Sequence, residues 1–327
     1  MKRPASALFC ITLFACCLAP AHTVAQIALK KSGSQVNVTI AGKPITTFHY
    51  AGKWPKPFLH PLRTSGGITV TRGFPLETNA NESRDHHWHR GLWFAHGDIN
   101  GIDFWRETSG DAAQDKKLPL PVGRLVMQGP PVISSGKNLG TLRATLALMP
   151  AAGKQLGTLR EQYVFRRQDA HILIDVQATI VASHGVALKM GDTEEGLLGF
   201  RFADAFREDR GATLLNADGL RGTKNIWGKR ARWVDYSTRL ENQTVGVAIL
   251  DHPLNPKHPT YWHARGYGLN AANPFGEHDF HNDKNRDGSV TIPPGGSMTF
   301  RYRVVIHHGD ATASGVATLY ESYAKTR

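Results

Sequence analysis

Three stretches of this chain concentrate side chains able to move protons or grip polar ligands. Residues 85–105 hold four histidines, three tryptophans and three aspartates. Imidazoles titrate near neutrality, so His86 and His89 are candidate acid–base groups, and indoles offer flat apolar faces with one donor. An extended segment here would put Asp85, His87 and His89 on one face and His86, Trp88 and Arg90 on the other. Arg90, Trp93, Asp98, Asn100, Asp103 and Trp105 are candidate ligand contacts in the same stretch.

The second stretch is Gly191-Asp192-Thr193-Glu194-Glu195-Gly196. Glycines bracket paired carboxylates, the composition of a tight turn that presents acids at a loop. Two carboxyls whose surroundings separate their pKa values can serve as acid and base, and Glu195 is the candidate opposing His86 and His89.

The third runs from Asp251-His252-Pro253-Leu254-Asn255-Pro256 through Tyr261-Trp262-His263-Ala264-Arg265 to Asn273-Pro274-Phe275-Gly276. In a strand, Tyr261, His263 and Arg265 point one way, and Trp262 and Ala264 the other. His263 is a further acid–base candidate. Tyr261, Trp262, Arg265 and Asn273 suit sugar rings, hydroxyls and carboxylates.

These groups need a scaffold, and the prevailing sequence period is two. Val36, Val38 and Ile40 alternate with polar residues, as do Ile172, Ile174, Val176, Ala178 and Ile180, then Val245, Val247 and Ile249, and Met298, Phe300, Tyr302, Val304 and Ile306. Such strands have one face for a core and one for water. Ala41-Gly42-Lys43 marks a hairpin turn. Helical spacing is confined to the C-terminus, where Asp310 is a candidate cap and Val316, Ala317, Leu319, Tyr320 and Tyr323 share a face. The expected fold is all-β: a large antiparallel β-sandwich with a C-terminal helix, in one domain spanning 26–327.

The first 25 residues read as a signal peptide: Lys2 and Arg3, then an apolar run over 7–19, then small residues at Thr23 and Ala25. The expected location is periplasmic or extracellular, with a lipid anchor on Cys16 as the lesser alternative. Cys10, Cys16 and Cys17 all lie in that leader, so the cleaved chain has no thiol for a nucleophile, disulfide or thiolate metal site. No apolar run of membrane-spanning length follows it. The net charge of +12 comes from scattered Lys and Arg rather than a block. It suits a solubilising surface or an acidic glycan, and no nucleic-acid partner is expected. Asp283-Lys284-Asn285-Arg286-Asp287-Gly288 imitates a calcium loop, but its twelfth position is Pro294.

Taken together, these motifs resemble the PmoA-like family of secreted bacterial proteins. The resemblance rests on the 86–105 block, Asp192-Thr193-Glu194-Glu195-Gly196, Ile226-Trp227-Gly228-Lys229-Arg230 with Trp233-Val234-Asp235-Tyr236, Asp251-His252-Pro253-Leu254-Asn255-Pro256, Tyr261-Trp262-His263-Ala264-Arg265, Asn273-Pro274-Phe275-Gly276 and the strand at 302–307. The family pattern Asp-His-Pro-His-His-Arg-Gly appears here as Asp85-His86-His87-Trp88-His89-Arg90-Gly91, so the middle histidine is replaced. The resemblance implies a secreted sandwich similar to mutarotase-like supersandwiches. The methane-oxygenase label attached to that family belongs to a membrane-integral enzyme and is rejected for this chain.

The leading expectation is an exported carbohydrate-active hydrolase or lyase. His86, His89, Glu195 and His263 would transfer protons, the arginines would hold polar groups, and Trp93, Trp105 and Trp262 would be stacking platforms. The alternatives are a non-catalytic sugar-binding module and a metal enzyme ligated by His86, His89 and His263. No cofactor is required by the leading reading.

Overall fold

The computed structural model describes residues 26–327. The expected signal peptide, with Cys16, lies outside the described residues. No helix among the described residues is long and apolar enough to cross a membrane.

Alternation builds two large antiparallel sheets. The first has eight strands in the order Ile27–Ser32, Gln35–Ile40, Lys43–His49, Phe58–Leu59, Leu92–His96, Gly196–Arg201, Leu269–Asn273 and Tyr261–Arg265. The second has nine strands. Its main path is Thr213–Asn216, Trp233–Leu240, Gln243–Asp251, Ser297–His308, His171–Val181, Gly157–Gln168, Leu139–Pro150 and Gly123–Met127, and Val132–Ser134 pairs beside Leu139–Pro150. Ala41 and Gly42, both at positive φ, make the expected hairpin turn.

The inner faces of the sheets meet in one continuous core. Ile172, Ile174, Val176, Ala178 and Ile180 turn inward from one strand, while Gln177 stays exposed. Burying each large aliphatic contributes about 1.5–3 kcal/mol. Aromatic pairs cross the gap: Phe94 meets Phe300 at 6.0 Å and Phe202 stacks on Tyr236 at 4.5 Å.

The C-terminal helix, Val316–Tyr323, packs on the outer face of the second sheet. Val316, Leu319, Tyr320 and Tyr323 bury against Leu173, Trp233, Leu250 and Val305. Ala317, expected on that apolar face, is exposed. Asp310 caps the turn before the helix, accepting from the backbone of Thr312 and Ala313, and Gly315 takes the N-cap position itself.

Candidate active site

The site stands on the outer face of the first sheet. Trp93, Gly199, Ala271 and His263 are in register across four neighbouring strands, so their side chains share a face. Arg201 and Arg265 flank that row on the same side, both opposite Leu269. The expected alternation in Tyr261–Arg265 holds. His263 and Arg265 face outward, and Trp262 enters the inter-sheet core, where its indole N–H donates to the Ala231 carbonyl at 2.9 Å.

Residues 85–90 form a turn, not the extended segment expected. His86 has a φ of 45°, and the His89 N–H closes the turn on the His86 carbonyl at 3.0 Å. This turn replaces the predicted two-faced alternation and puts the His86 and His89 rings together. Asp85 anchors it. One Asp85 oxygen accepts from Arg72 at 2.9 Å and Arg201 at 2.7 Å, and the other meets His86 Nδ1 at 2.5 Å. Burial pushes the Asp85 carboxyl up, but His86 and the two guanidinia outweigh it and hold it well below the usual carboxylate range.

Four rings then stack in a column. Tyr267 lies on His86 at 5.2 Å, His86 on His89 at 4.8 Å, and His89 on Trp93 at 5.1 Å. His89 is buried, and its Nε2 accepts from the Trp105 indole at 3.2 Å, which assigns the ring proton to Nδ1. Burial first, then the charges of His86 and Arg201, push its pKa well down, so His89 is a neutral ring at physiological pH. His86 is the partly exposed end of the imidazole pair.

The carboxylates complete the site. Glu195 Oε1 accepts from Arg106 at 2.8 Å, and Arg106 also binds Asp103 at 3.0 Å. Glu195 Oε2 is buried without a hydrogen-bond partner. Burial, helped by the neighbouring charges of Glu194 and Asp103 and opposed by Arg106, pushes the Glu195 pKa up to about 7. Glu194, one residue earlier, bonds Arg265 at 2.9 Å and lies 3.4 Å from His263 Nδ1. Burial raises its pKa against the pull of Arg265. His263 Nε2 accepts from Arg265 at 3.1 Å, and burial, reinforced by Arg265, lowers its pKa to about 3. The loop keeps its shape because Asn273 Nδ2 donates to the Thr193 carbonyl, Gly97 N–H donates to the Glu195 carbonyl, and Asp279 accepts from Glu194 N–H.

A hollow of about 720 Å³ opens beside this cluster, walled in part by Asp85, His86, Trp88, Arg106 and Glu107. The aromatic surface facing it belongs to Trp88. A second partly exposed indole, Trp227, lies under the Arg265 guanidinium at 4.9 Å.

Several expected contacts have other duties. Trp93, Trp105 and Trp262 are fully buried and cannot serve as stacking platforms. Arg90 is buried against Glu107, sandwiched by Trp54 and Phe58, and shares Glu107 with Lys56, so it holds the floor rather than a ligand. Asp98 and Asn100 tie the 97–102 turn to the 187–191 segment. Asp103 positions Arg106, and Asn273 positions the glutamate loop. Tyr261 is buried, bonds His281 at 2.9 Å and carries Arg230 over its ring.

His86, His89 and His263 do not form a ligand set, because the first two rings lie parallel and their bonded nitrogens serve Asp85 and Trp105. Among the described residues no three His, Cys, Asp or Glu side chains converge as a metal site needs.

Arg106 and Tyr267 were not among the expected site residues. Arg106 follows the tryptophan-rich block directly and reaches a carboxylate 89 positions later. Its i,i+3 spacing from Asp103 was the one sequence signal for it. Tyr267 follows the Tyr261–Arg265 strand by two residues, and only the return of the chain puts it on His86.

The chain belongs to a family of unknown function, DUF6807, whose model matches residues 35–321. Comparison with curated proteins gives no match. Among solved structures the chain is similar to a galactose mutarotase-like protein from Lactobacillus casei, at 9% identity and a TM-score of 0.36, covering 86% of this chain and 100% of that one. A galactose mutarotase-like protein from Clostridium acetobutylicum is similar at 8% identity and a TM-score of 0.34, over 86% and 95% of the two chains. Similarity at this level transfers no residue of the site.

Proposed function

We propose that this DUF6807 protein is a carbohydrate-active enzyme, a hydrolase or lyase, whose proton-transfer groups are Glu195 and His86. The observation that carries the proposal is Glu195: a buried carboxyl with one oxygen bound to Arg106 and the other unpartnered, its pKa raised to about 7. A group that is half protonated at neutral pH both gives and takes protons efficiently. Burial raises the pKa of Glu161 as well, but that group faces the inter-sheet core, whereas Glu195 is held by Arg106, which lines the hollow.

The surroundings support a polyhydroxyl ligand. Arg106, Arg265, Glu194 and Asp85 offer partly exposed donors and acceptors at the site, and Trp88 adds an apolar wall. Protonated Glu195 would give its proton to a leaving oxygen, and Arg106 would stabilise the negative charge developing beside it. His86, held by Asp85, would take a proton from water or from the sugar itself. His89 and His263, both neutral and buried, orient their neighbours and do not touch the ligand.

The test is product formation from a panel of neutral and acidic oligosaccharides, with wild type and Glu195→Gln compared. The expected result is turnover by wild type and its loss in the variant. Unaltered turnover in Glu195→Gln sinks the assignment of the acid. Ligand binding without product from any substrate in the panel sinks the enzyme reading.

A further inference from the structure

We infer that the uncovered half of the second sheet's outer face is a separate binding surface for an acidic glycan, a sugar polymer bearing carboxylates. The C-terminal helix covers the part of that face around Trp233, Leu250 and Val305. Beyond it Arg143, Gln162, Gln177 and Arg301 stand in register on four neighbouring strands. At the usual interstrand spacing this row is about 14 Å long. Arg143 Nε donates to the Gln162 side-chain carbonyl at 2.6 Å, which frees the Gln162 amide nitrogen to donate elsewhere. Gln177 is exposed.

A hollow of about 370 Å³ lies at the Arg301 end of the row. Arg166, Arg301 and Arg303 line it, against one carboxylate, Asp175, which Arg166 and Arg303 already share. With Arg327, also on its wall, four guanidinium side chains face the one carboxylate side chain. The other ionisable side chains on its wall, His252 and Tyr323, add no carboxylate. Arg301 Nε is buried without a partner, a donor that costs free energy until an acceptor arrives.

Guanidinium forks bind carboxylates in two-point fashion, and side-chain amides between them match hydroxyls. The four residues of the row include no aromatic ring of the kind that stacks nucleobases, and Tyr323 at the hollow is buried under Arg303, so guanidinium and amide groups alone meet the ligand, as a carboxylate-bearing sugar requires. This face is the reverse of the sandwich from Glu195, so its ligand does not depend on the proposed chemistry there.

The experiment is calorimetric titration of the purified protein with polygalacturonate, dextran sulfate and neutral dextran at low and high salt. A single-stranded oligonucleotide and phosphatidylglycerol vesicles serve as further probes. Polygalacturonate should bind best, weaken with salt, and bind about tenfold more weakly to an Arg143→Gln, Arg301→Gln double variant. Gln177→Glu, a change at an exposed position, should weaken it as well. Undiminished binding by the double variant and by Gln177→Glu overturns the inference. So does equal binding of neutral dextran, or tighter binding of the sulfated polymer, the oligonucleotide or the vesicles.

Discussion

The imidazole of His86 lies parallel to that of His89, with centroids 4.8 Å apart and an interplanar angle of 0°. Burial keeps His89 neutral, and His86, bonded to Asp85, is the partly exposed ring of the pair.

His86→Gln should therefore abolish turnover while keeping the thermal midpoint within a few degrees of wild type. His89→Ala should do something different. It removes a buried ring from between His86 and Trp93 and orphans the Trp105 N–H, at a cost of about 2–4 kcal/mol. Thermal unfolding of both variants separates the roles. A His89→Ala protein as stable as wild type contradicts the buried-stack assignment.

Glu195→Gln should lower kcat by about 10² to 10⁴-fold. In wild type, a limb of the pH–rate profile near pH 7 should report Glu195, whose folded pKa is raised to about 7. The variant's residual activity should lack that limb. A wild-type profile flat between pH 5 and pH 8 would remove Glu195 from the chemistry.

Glu161 predicts a pH effect on stability. It faces the inter-sheet core with both oxygens unpartnered, and burial pushes its pKa up to about 8. The folded state thus holds a proton that the unfolded chain releases near its ordinary pKa of 4.5. Stability from this group is complete below pH 4.5 and is lost as pH rises toward 8. Glu161→Gln should flatten that decline. The check is the thermal midpoint of each protein across this range, and parallel curves would refute the prediction.

Gly199→Ala should destabilise by about 1–3 kcal/mol through overpacking. A β-carbon there would stand 2.5 Å from the Trp93 ring and 2.7 Å from the Trp105 ring, both held in the buried cluster under the site. Denaturant unfolding measures the loss. An unchanged midpoint would mean that the two indoles can yield.

The sheets were legible because strand alternation is a local property. The same period correctly put His263 and Arg265 on one face and Trp262 on the other, but it did not say which face was the core, and Trp262, expected as a platform, lies inside. It failed at 85–90, where a positive φ at His86 and a turn hydrogen bond replaced extended backbone. Nothing local told a platform tryptophan from a core tryptophan. Trp93 and Trp105 are buried because Gly199 lets them close over the sheet, a fact carried by a residue a hundred positions away. Arg106 and Tyr267 escaped for the same reason, since their partners meet them only through tertiary packing.

Arg106 spans the gap between Asp103 on one loop and Glu195 on another. Once Glu195 takes up a proton, that span loses the ionic half of its hold and Arg106 answers chiefly to Asp103. The protonation that arms the acid would then also unlatch a side of the chamber, tying the breathing of residues 103–107 to acidity. Faster amide exchange there at pH 6 than at pH 8, after correction for the intrinsic rate, would be its signature.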